Sequence, residues 1–300
     1  MRPVLVSGGS GMLGSAVRQA LGARQISVVQ LVRREANGHS QVQWDPAATR
    51  AIANPEALEG LSAAIHLSGA SLAGHRWTPA YKRALWLSRV ESTQALATAL
   101  AGLRNPPSVL LVASAAGIYG NRGDELMDER SRPGSGFLSD LCVAWEAAAR
   151  PALDAGIRVV HTRFGVVLGK GSGALAKMLP LFRLGLGGRL GSGRQWMSWV
   201  SMPDAVAAIL YALDRSDLDG AINVAGPNPV TNAQFTQALA RAIHRPAFLP
   251  APAFALRLAL GEMAGEALLA SARVFPSRLI SVGFQFAHPT VDVALAAALA

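Results

Sequence analysis

The sequence predicts an α/β fold: a Rossmann-type, doubly wound parallel sheet with a smaller C-terminal substrate or lid domain. Three observations predict it. The first 165 residues alternate short β-like runs with helical stretches, the pattern of a parallel sheet covered on both faces. The chain opens on an apolar strand that runs directly into a glycine-rich turn and a helix. After Arg163 the alternation gives way to a glycine-rich stretch, then to helices broken by proline.

Taken in order, strands are expected at Val4–Ser7, Ile26–Val32, Val42–Trp44, Ala63–Leu67, Val109–Ser114 and Val159–Arg163. Helices are expected over Met12–Ala23, Pro79–Leu103 and Ser139–Ala155. Residues 1–165 therefore form the nucleotide-binding domain. Residues 166–300 form the smaller one, with parts of 196–230 returning to the sheet. Within that half, the glycine-rich stretch 165–193 precedes an apolar helix, Asp204–Leu213, and a strand, Ala221–Val224. A further helix starts at Thr231 or Asn232, either of which can cap it, and prolines at 246, 250, 252 and 276 divide the remainder.

Composition narrows the function classes. Hydrophobic residues make up 51% of the 300 and charged residues 16%, enough for a large core and against wholesale disorder. The net charge of +9 is almost all arginine, since lysine occurs only at 82, 170 and 177. That balance suits phosphate-bearing ligands, nucleic acid or simply a genome that favours arginine codons. The longest basic run is Arg33-Arg34 and tyrosine occurs three times, so no nucleic-acid module is indicated. The single Cys142 forbids an internal disulfide and makes a reducing, cytoplasmic setting the default. Gly8 comes too early for a signal-peptide apolar region, and Arg257, Glu262, Glu266 and Arg273 interrupt the most apolar later stretch, so no membrane partner is expected. Outside the apolar His66, the histidines (39, 75, 161, 244 and 288) lack metal-ligand spacing, and no metal is expected. The expected partner is a small molecule; the assembly state stays open, a homodimer included.

Gly8-x-x-Gly11-x-x-Gly14 carries the strongest chemical signal. Gly8 permits a tight turn, Gly11 lets a pyrophosphate approach the backbone, and Gly14 lets helix and strand pack closely. Phosphate oxygens would meet Ser10, Met12 and Leu13 at the amide-rich start of the helix. Where an acid would bond a ribose 2′-hydroxyl at the end of the second strand, this chain has Arg33 and Arg34. Forked guanidinium groups suit a 2′-phosphate, so the cofactor expected is NADP(H).

The glycine turn, Ala64-Ile65-His66-Leu67-Ser68-Gly69 and Ser114-Ala115-Ala116-Gly117-Ile118-Tyr119-Gly120 resemble extended short-chain dehydrogenases/reductases. Arg76-Trp77-Thr78, Ser88-Arg89-Val90, Trp145-Glu146, Gly165-Val166-Val167-Leu168-Gly169, Gly185-Leu186-Gly187-Gly188, Ser198-Trp199-Val200 and Pro229-Val230-Thr231-Asn232 narrow this. The chain resembles the atypical, epimerase-like subfamily, whose members are labelled sulA-like or nucleotide-sugar epimerase homologues and carry a C-terminal DUF1731-type segment. The resemblance implies that Leu67 and Ser68 line the nicotinamide-ribose path, that Arg89 reaches the cofactor, and that Val167 contacts the nicotinamide end.

One departure matters. The Tyr-x-x-x-Lys pair by which such enzymes exchange a proton is missing, because Leu85, Gly123 and Arg215 follow the three tyrosines at that spacing. Aligned on Glu146, the pair's positions hold Leu138 and Cys142. Ser114 and Tyr119 are the replacement candidates, Tyr119 either bonding a substrate hydroxyl or packing on the sheet. Glu146 reads as an acid or base or as half of an ion pair, and the loop 182–199 as a lid or as an irregular surface loop. Two functions remain: an NADP(H)-dependent oxidoreductase or epimerase acting on a small substrate, nucleotide-linked or not, or a non-catalytic NADP(H)-binding regulator, for example of cell division.

Overall fold

Four apolar-to-small residues open the chain as β1 (Val4–Ser7), and all four are buried. The computed structural model describes residues 2–38, 40–48, 51–171 and 173–300. After the glycine turn comes α1 (Met12–Ala23), which buries Val17 and Leu21 at helical spacing. Gln25 then takes φ 58° and Ile26 N bonds the Leu21 carbonyl, so β2 (Val28–Val32) begins two residues later than the apolar run suggests. β3 (Gln41–Gln43) and β4 (Ala63–His66) follow.

The predicted helix at 79–103 forms in two segments. Thr78 caps α2 (Pro79–Trp86) by accepting from Tyr81 N, and a π turn over Leu87–Glu91 joins it to α3 (Ser92–Ala101). Then come β5 (Val109–Ala115), β6 (Leu126–Met127), α4 (Phe137–Ala147), α5 (Arg150–Asp154) and β7 (Arg158–Phe164). The predicted helix at 139–155 is thus two helices, the second starting beside Pro151.

The second half supplies β8 (Val166–Leu168), α6 (Gly173–Arg183), β9 (Trp196–Met197), β10 (Trp199–Ser201), α7 (Met202–Asp214) and β11 (Gly220–Val224). It ends with β12 (Val230–Thr231), α8 (Asn232–Ala242), α9 (Ala253–Leu260), β13 (Arg273–Val274), α10 (Ser277–Ser281) and α11 (Val291–Leu299). Thr231 is the cap of α8, in a reciprocal box with Gln234.

Seven strands make one parallel sheet in the order β3-β2-β1-β4-β5-β7-β11. The chain winds outward from β1 to β3, crosses back to β4, and winds the other way, so the order reverses between β1 and β4. Ligands of such sheets bind in that crevice, beyond the carboxyl ends of the strands. Val17, Leu21, Val206 and Ile209 of α1 and α7 fill one face, while Leu96, Leu100 and Ala152 of α3 and α5 fill the other with Trp44 and Trp145. A third core, holding Leu175, Phe182, Trp199, Phe235 and Leu295, lies among α6, α8 and α11. The glycine loop after α6 is strapped down: Leu249 N bonds Gly187 O, Ala251 N bonds Arg189 O, Gly191 N bonds Ala251 O, and Leu190 N bonds Asn232 Oδ1.

His66, at the end of β4, is fully buried between Ser7 Oγ (2.6 Å) and Ser92 Oγ (3.3 Å), and burial pushes its pKa down from 6.5 to about 4. Above pH 6.5 the ring is neutral in both folded and unfolded chains. As pH falls from 6.5 towards 4, the unfolded chain takes up a proton that the folded one refuses, so stability drops by up to about 3 kcal/mol. Burial pushes His161 in the same direction. Urea unfolding at pH 7 and pH 4.5 should show the loss, with a shallower pH slope in His66→Asn; equal slopes in the two proteins would contradict it.

Candidate functional site

The glycine turn sits at the reversal point. Gly8 has φ +69°, and a Cβ there would lie 2.7 Å from the Leu67 carbonyl carbon, so the turn packs against the end of β4 where Leu67 and Ser68 are half-buried. A Cβ on Gly14 would overlap the Gly8 carbonyl oxygen. Ser10 and Gly11 are exposed, and α1 begins with no side-chain cap and no acid in its first turn. Its first amides are therefore free to receive an anion. Met12 faces the other way: its Sδ lies 3.0 Å from the place a Gly169 Cβ would occupy. That contact brings the end of β8, which carries the half-buried Val167, beside the turn.

Arg33 and Arg34 stand exposed just beyond β2. Arg34 makes one long bond, 3.4 Å, to the Glu35 carbonyl, and neither arginine pairs with a carboxylate among the described residues. Arg89, inside the π turn, is the opposite case. It is only 8% exposed, its Nη2 donates to Ala70 O at 2.8 Å, and its guanidinium stacks 5.2 Å from the Trp145 ring. Burial pulls its pKa down, and no carboxylate among the described residues neutralises it. An uncapped helix start, two free guanidinium groups and a buried unneutralised one fit the phosphates of a dinucleotide.

A cavity of about 550 Å³ opens from the carboxyl ends of β5 and β7 towards the second half of the chain. Ser114, Arg89 and Cys142 are on its wall, and so is Leu138, which puts both positions of the missing Tyr-x-x-x-Lys pair at the cavity. Burial, then the nearby Glu146 carboxylate, pushes the Cys142 thiol up to about 12, so it is no nucleophile at neutral pH.

Behind Ser114 lies a buried polar chain. Ser114 Oγ donates to Glu146 Oε1 at 2.7 Å, and Arg163 grips that carboxylate with two bonds of 2.8 Å. Burial works against the Glu146 anion, but the Arg163 bonds outweigh it and hold the carboxyl below its ordinary range. Arg163 Nη1 also donates to the Tyr119 hydroxyl at 3.0 Å, which donates to Asn223 Oδ1 at 2.7 Å. The expectation of a substrate bond at Tyr119 is corrected here: the residue is fully buried, its hydroxyl has both partners within the protein, and it does not reach the cavity wall. Its place is that of a positioning residue for Arg163. Glu146 is half of an ion pair.

Arg163 and Asn223 were missed in the sequence. A signal existed, because a charged residue closing an otherwise buried strand at its carboxyl end marks the ligand edge of such a sheet. Among the described residues no group of three His, Cys, Asp or Glu could hold a metal; His39 lies outside them. No described helix is long and apolar enough to cross a membrane.

Comparisons with known proteins agree with this geometry. Residues 4–225 match the NAD dependent epimerase/dehydratase family, and residues 251–298 match a domain of unknown function, DUF1731. The chain is 45% identical over 292 residues to Epimerase family protein MT2273 of Mycobacterium tuberculosis, covering 97% of this chain and 96% of that protein. The crystal structure of human epimerase family protein SDR39U1 (isoform 2) with NADPH superposes with a TM-score of 0.91 at 35% identity, covering 99% of each chain. The nucleoside-diphosphate sugar epimerase from Corynebacterium glutamicum superposes with a TM-score of 0.81 at 33% identity, covering 99% of this chain and 58% of that one. The match over most of its length, carried on a glycine turn at the reversal point of a parallel sheet, shows that the chain belongs to the NAD dependent epimerase/dehydratase family, with a DUF1731 segment near its C-terminal end.

Proposed function

We propose that the protein is an NADP(H)-binding, epimerase-like oxidoreductase that acts on a small molecule in the cavity beside Ser114. The observation that carries the reading is the pair of free guanidinium groups, Arg33 and Arg34, one strand away from the uncapped start of α1. The glycine turn at Ser10 and Gly11 and the first turn of α1 at Met12, Leu13 and Gly14 hold the diphosphate. Arg33 and Arg34 hold the 2′-phosphate, Leu67 and Ser68 follow the nicotinamide ribose, Arg89 supports the same track, and Val167 bounds the nicotinamide end. The NADPH bound by the human relative supports this assignment. Residues 1–165 supply the cofactor site, and residues from 166 onward close the substrate side. Fluorescence titration should give an NADPH affinity at least about 100-fold above that for NADH, as expected for charge-assisted bonds to a phosphate only one of them carries. Comparable affinities would defeat the reading.

The cofactor, when bound, supplies a hydride donor or acceptor. The chain supplies orientation. A carboxylate can only accept, so Glu146, held as an anion by Arg163, fixes the Ser114 hydroxyl as a donor towards itself. The remaining lone pairs of Ser114 Oγ then face the cavity and accept from a substrate hydroxyl. Tyr119 and Asn223 keep Arg163 in place. Ser114→Ala should lower kcat/KM roughly 10- to 100-fold on any substrate that supports turnover, with the NADPH affinity unchanged. Unaltered kcat/KM would remove Ser114 from the mechanism.

A second reading, an NADP(H)-binding regulator without turnover, is favoured by one observation: Leu138 and Cys142 stand at the cavity where the proton-exchanging pair would be. Tight NADPH binding with no oxidation or isomerisation across carbonyl and sugar substrates would select it.

A further inference from the structure

The cavity wall bears on the class of substrate, an inference that rests on the cofactor reading above. Leu72, Leu141, Trp145, Phe164, Met178 and Met197 give the wall its apolar character. Among the described residues lining it, Arg89 and Glu266 alone carry charge. Arg89 is almost wholly buried and turned onto the Ala70 carbonyl, at the edge of the cofactor track. Glu266 accepts from Phe137 N (3.0 Å) and Leu138 N (2.8 Å), fastening the start of α4, and its charge opposes an incoming anion. A diphosphate brought against such a wall loses its water and meets, among the described lining residues, no cation but Arg89, whose Nη2 is already committed to the Ala70 carbonyl.

The other polar groups are neutral. Asn121 Oδ1 accepts from Ser271 N and Asn232 Oδ1 accepts from Leu190 N, which leaves an amide NH₂ on each. Gln195 Nε2 donates to the Leu190 and Leu268 carbonyls, which leaves its Oε1. With Ser114 Oγ these make a few fixed hydrogen-bonding groups in an apolar chamber, the usual make-up of a site for a compact neutral ligand.

We propose that the substrate is an uncharged, largely apolar carbonyl compound or its alcohol, and not a nucleoside diphosphate sugar, because the cavity offers apolar walls and neutral hydrogen-bonding groups and, among the described residues lining it, no cation beyond Arg89, which is held on the Ala70 carbonyl. In the reducing direction, bound NADPH would supply the hydride for the new C–H bond at the carbonyl carbon, the C=O π pair would move to oxygen, and water would supply the proton that oxygen takes up, with NADP⁺ as the oxidised product.

The test uses the full chain saturated with NADP⁺ and titrated with acetophenone, 1-indanone, 2-tetralone, UDP and UDP-glucose, followed by saturation-transfer NMR and calorimetry. At least one ketone should bind about tenfold or more tightly than UDP-glucose and should support NADPH oxidation. Met178→Arg should weaken ketone binding about tenfold, whereas Met178→Gln should keep it within about threefold, with melting temperature and NADPH affinity as checks on folding. Tighter binding of UDP or UDP-glucose would overturn the proposal, as would cofactor-loaded protein that takes up none of the ketones. Failure to bind NADPH would instead overturn the cofactor reading, and is measured before any ketone is added.

Discussion

Replacing Arg33 and Arg34 together with alanine should raise the Kd for NADPH about 10³-fold while leaving that for NADH within about threefold. Both side chains are exposed at the end of β2, and neither is tied to a carboxylate among the described residues. No ion pair among the described residues therefore depends on them, and the double variant should melt with the wild type. Each charge-assisted bond to a phosphate is worth about 1.5–3 kcal/mol, so two lost bonds account for a change of that order. Salt supplies a second reading, because interactions between exposed charges are screened over about 10 Å at 0.1 M ionic strength. NADPH affinity should fall with added salt in the wild type and much less in the double variant. An equal loss of NADH and NADPH binding would show that the arginines shape the loop and do not read the phosphate.

The position of these two arginines at the end of β2 was legible in the sequence for the same reason as the sheet. The pattern that places them is local: an apolar strand, a glycine triplet at fixed spacing, a helix, a second strand and the residues closing it. Every strand expected in the first half forms within two residues of its expected ends. The boundaries that shifted did so for local backbone reasons, such as the left-handed Gln25 that delays β2 and the π turn that interrupts the rod from Pro79 to Ala101.

The polar chain behind Ser114 was only partly legible. Ser114 and Glu146 stood out by position, but Arg163 and Asn223 join them from β7 and β11 across gaps that no spacing rule spans. Tyr119 looked available because it follows a strand at the ligand edge. The short helical turn over Ala116–Tyr119 instead rolls its ring into the core, where Arg163 and Asn223 take both faces of its hydroxyl. Burial of this kind comes from packing between distant segments, which a local pattern does not encode.

Arg163→Met should destabilise the protein by about 3–5 kcal/mol, the usual effect of stranding one member of a buried ion pair. Arg163 provides both bonds that compensate the Glu146 carboxylate and also holds the Tyr119 hydroxyl. In the wild type the Glu146 carboxyl lies below its ordinary 4.5, so its contribution is complete above pH 4.5 and fades as pH falls through the lower folded value. In the variant the sign reverses. An unpartnered buried carboxyl has a raised pKa, the unfolded chain ionises above pH 4.5 while the folded one resists, and stability falls as pH rises. The gap between variant and wild type should therefore widen from pH 5 to pH 8 in urea unfolding. Adding Glu146→Leu to Arg163→Met removes the stranded charge and should recover much of the loss, since a buried pair replaced by apolar groups is often close to neutral. A pH-independent gap with no recovery in the double variant would mean that Arg163 acts through packing on the Tyr119 ring, and that the Ser114 hydroxyl is aimed by something other than the ion pair.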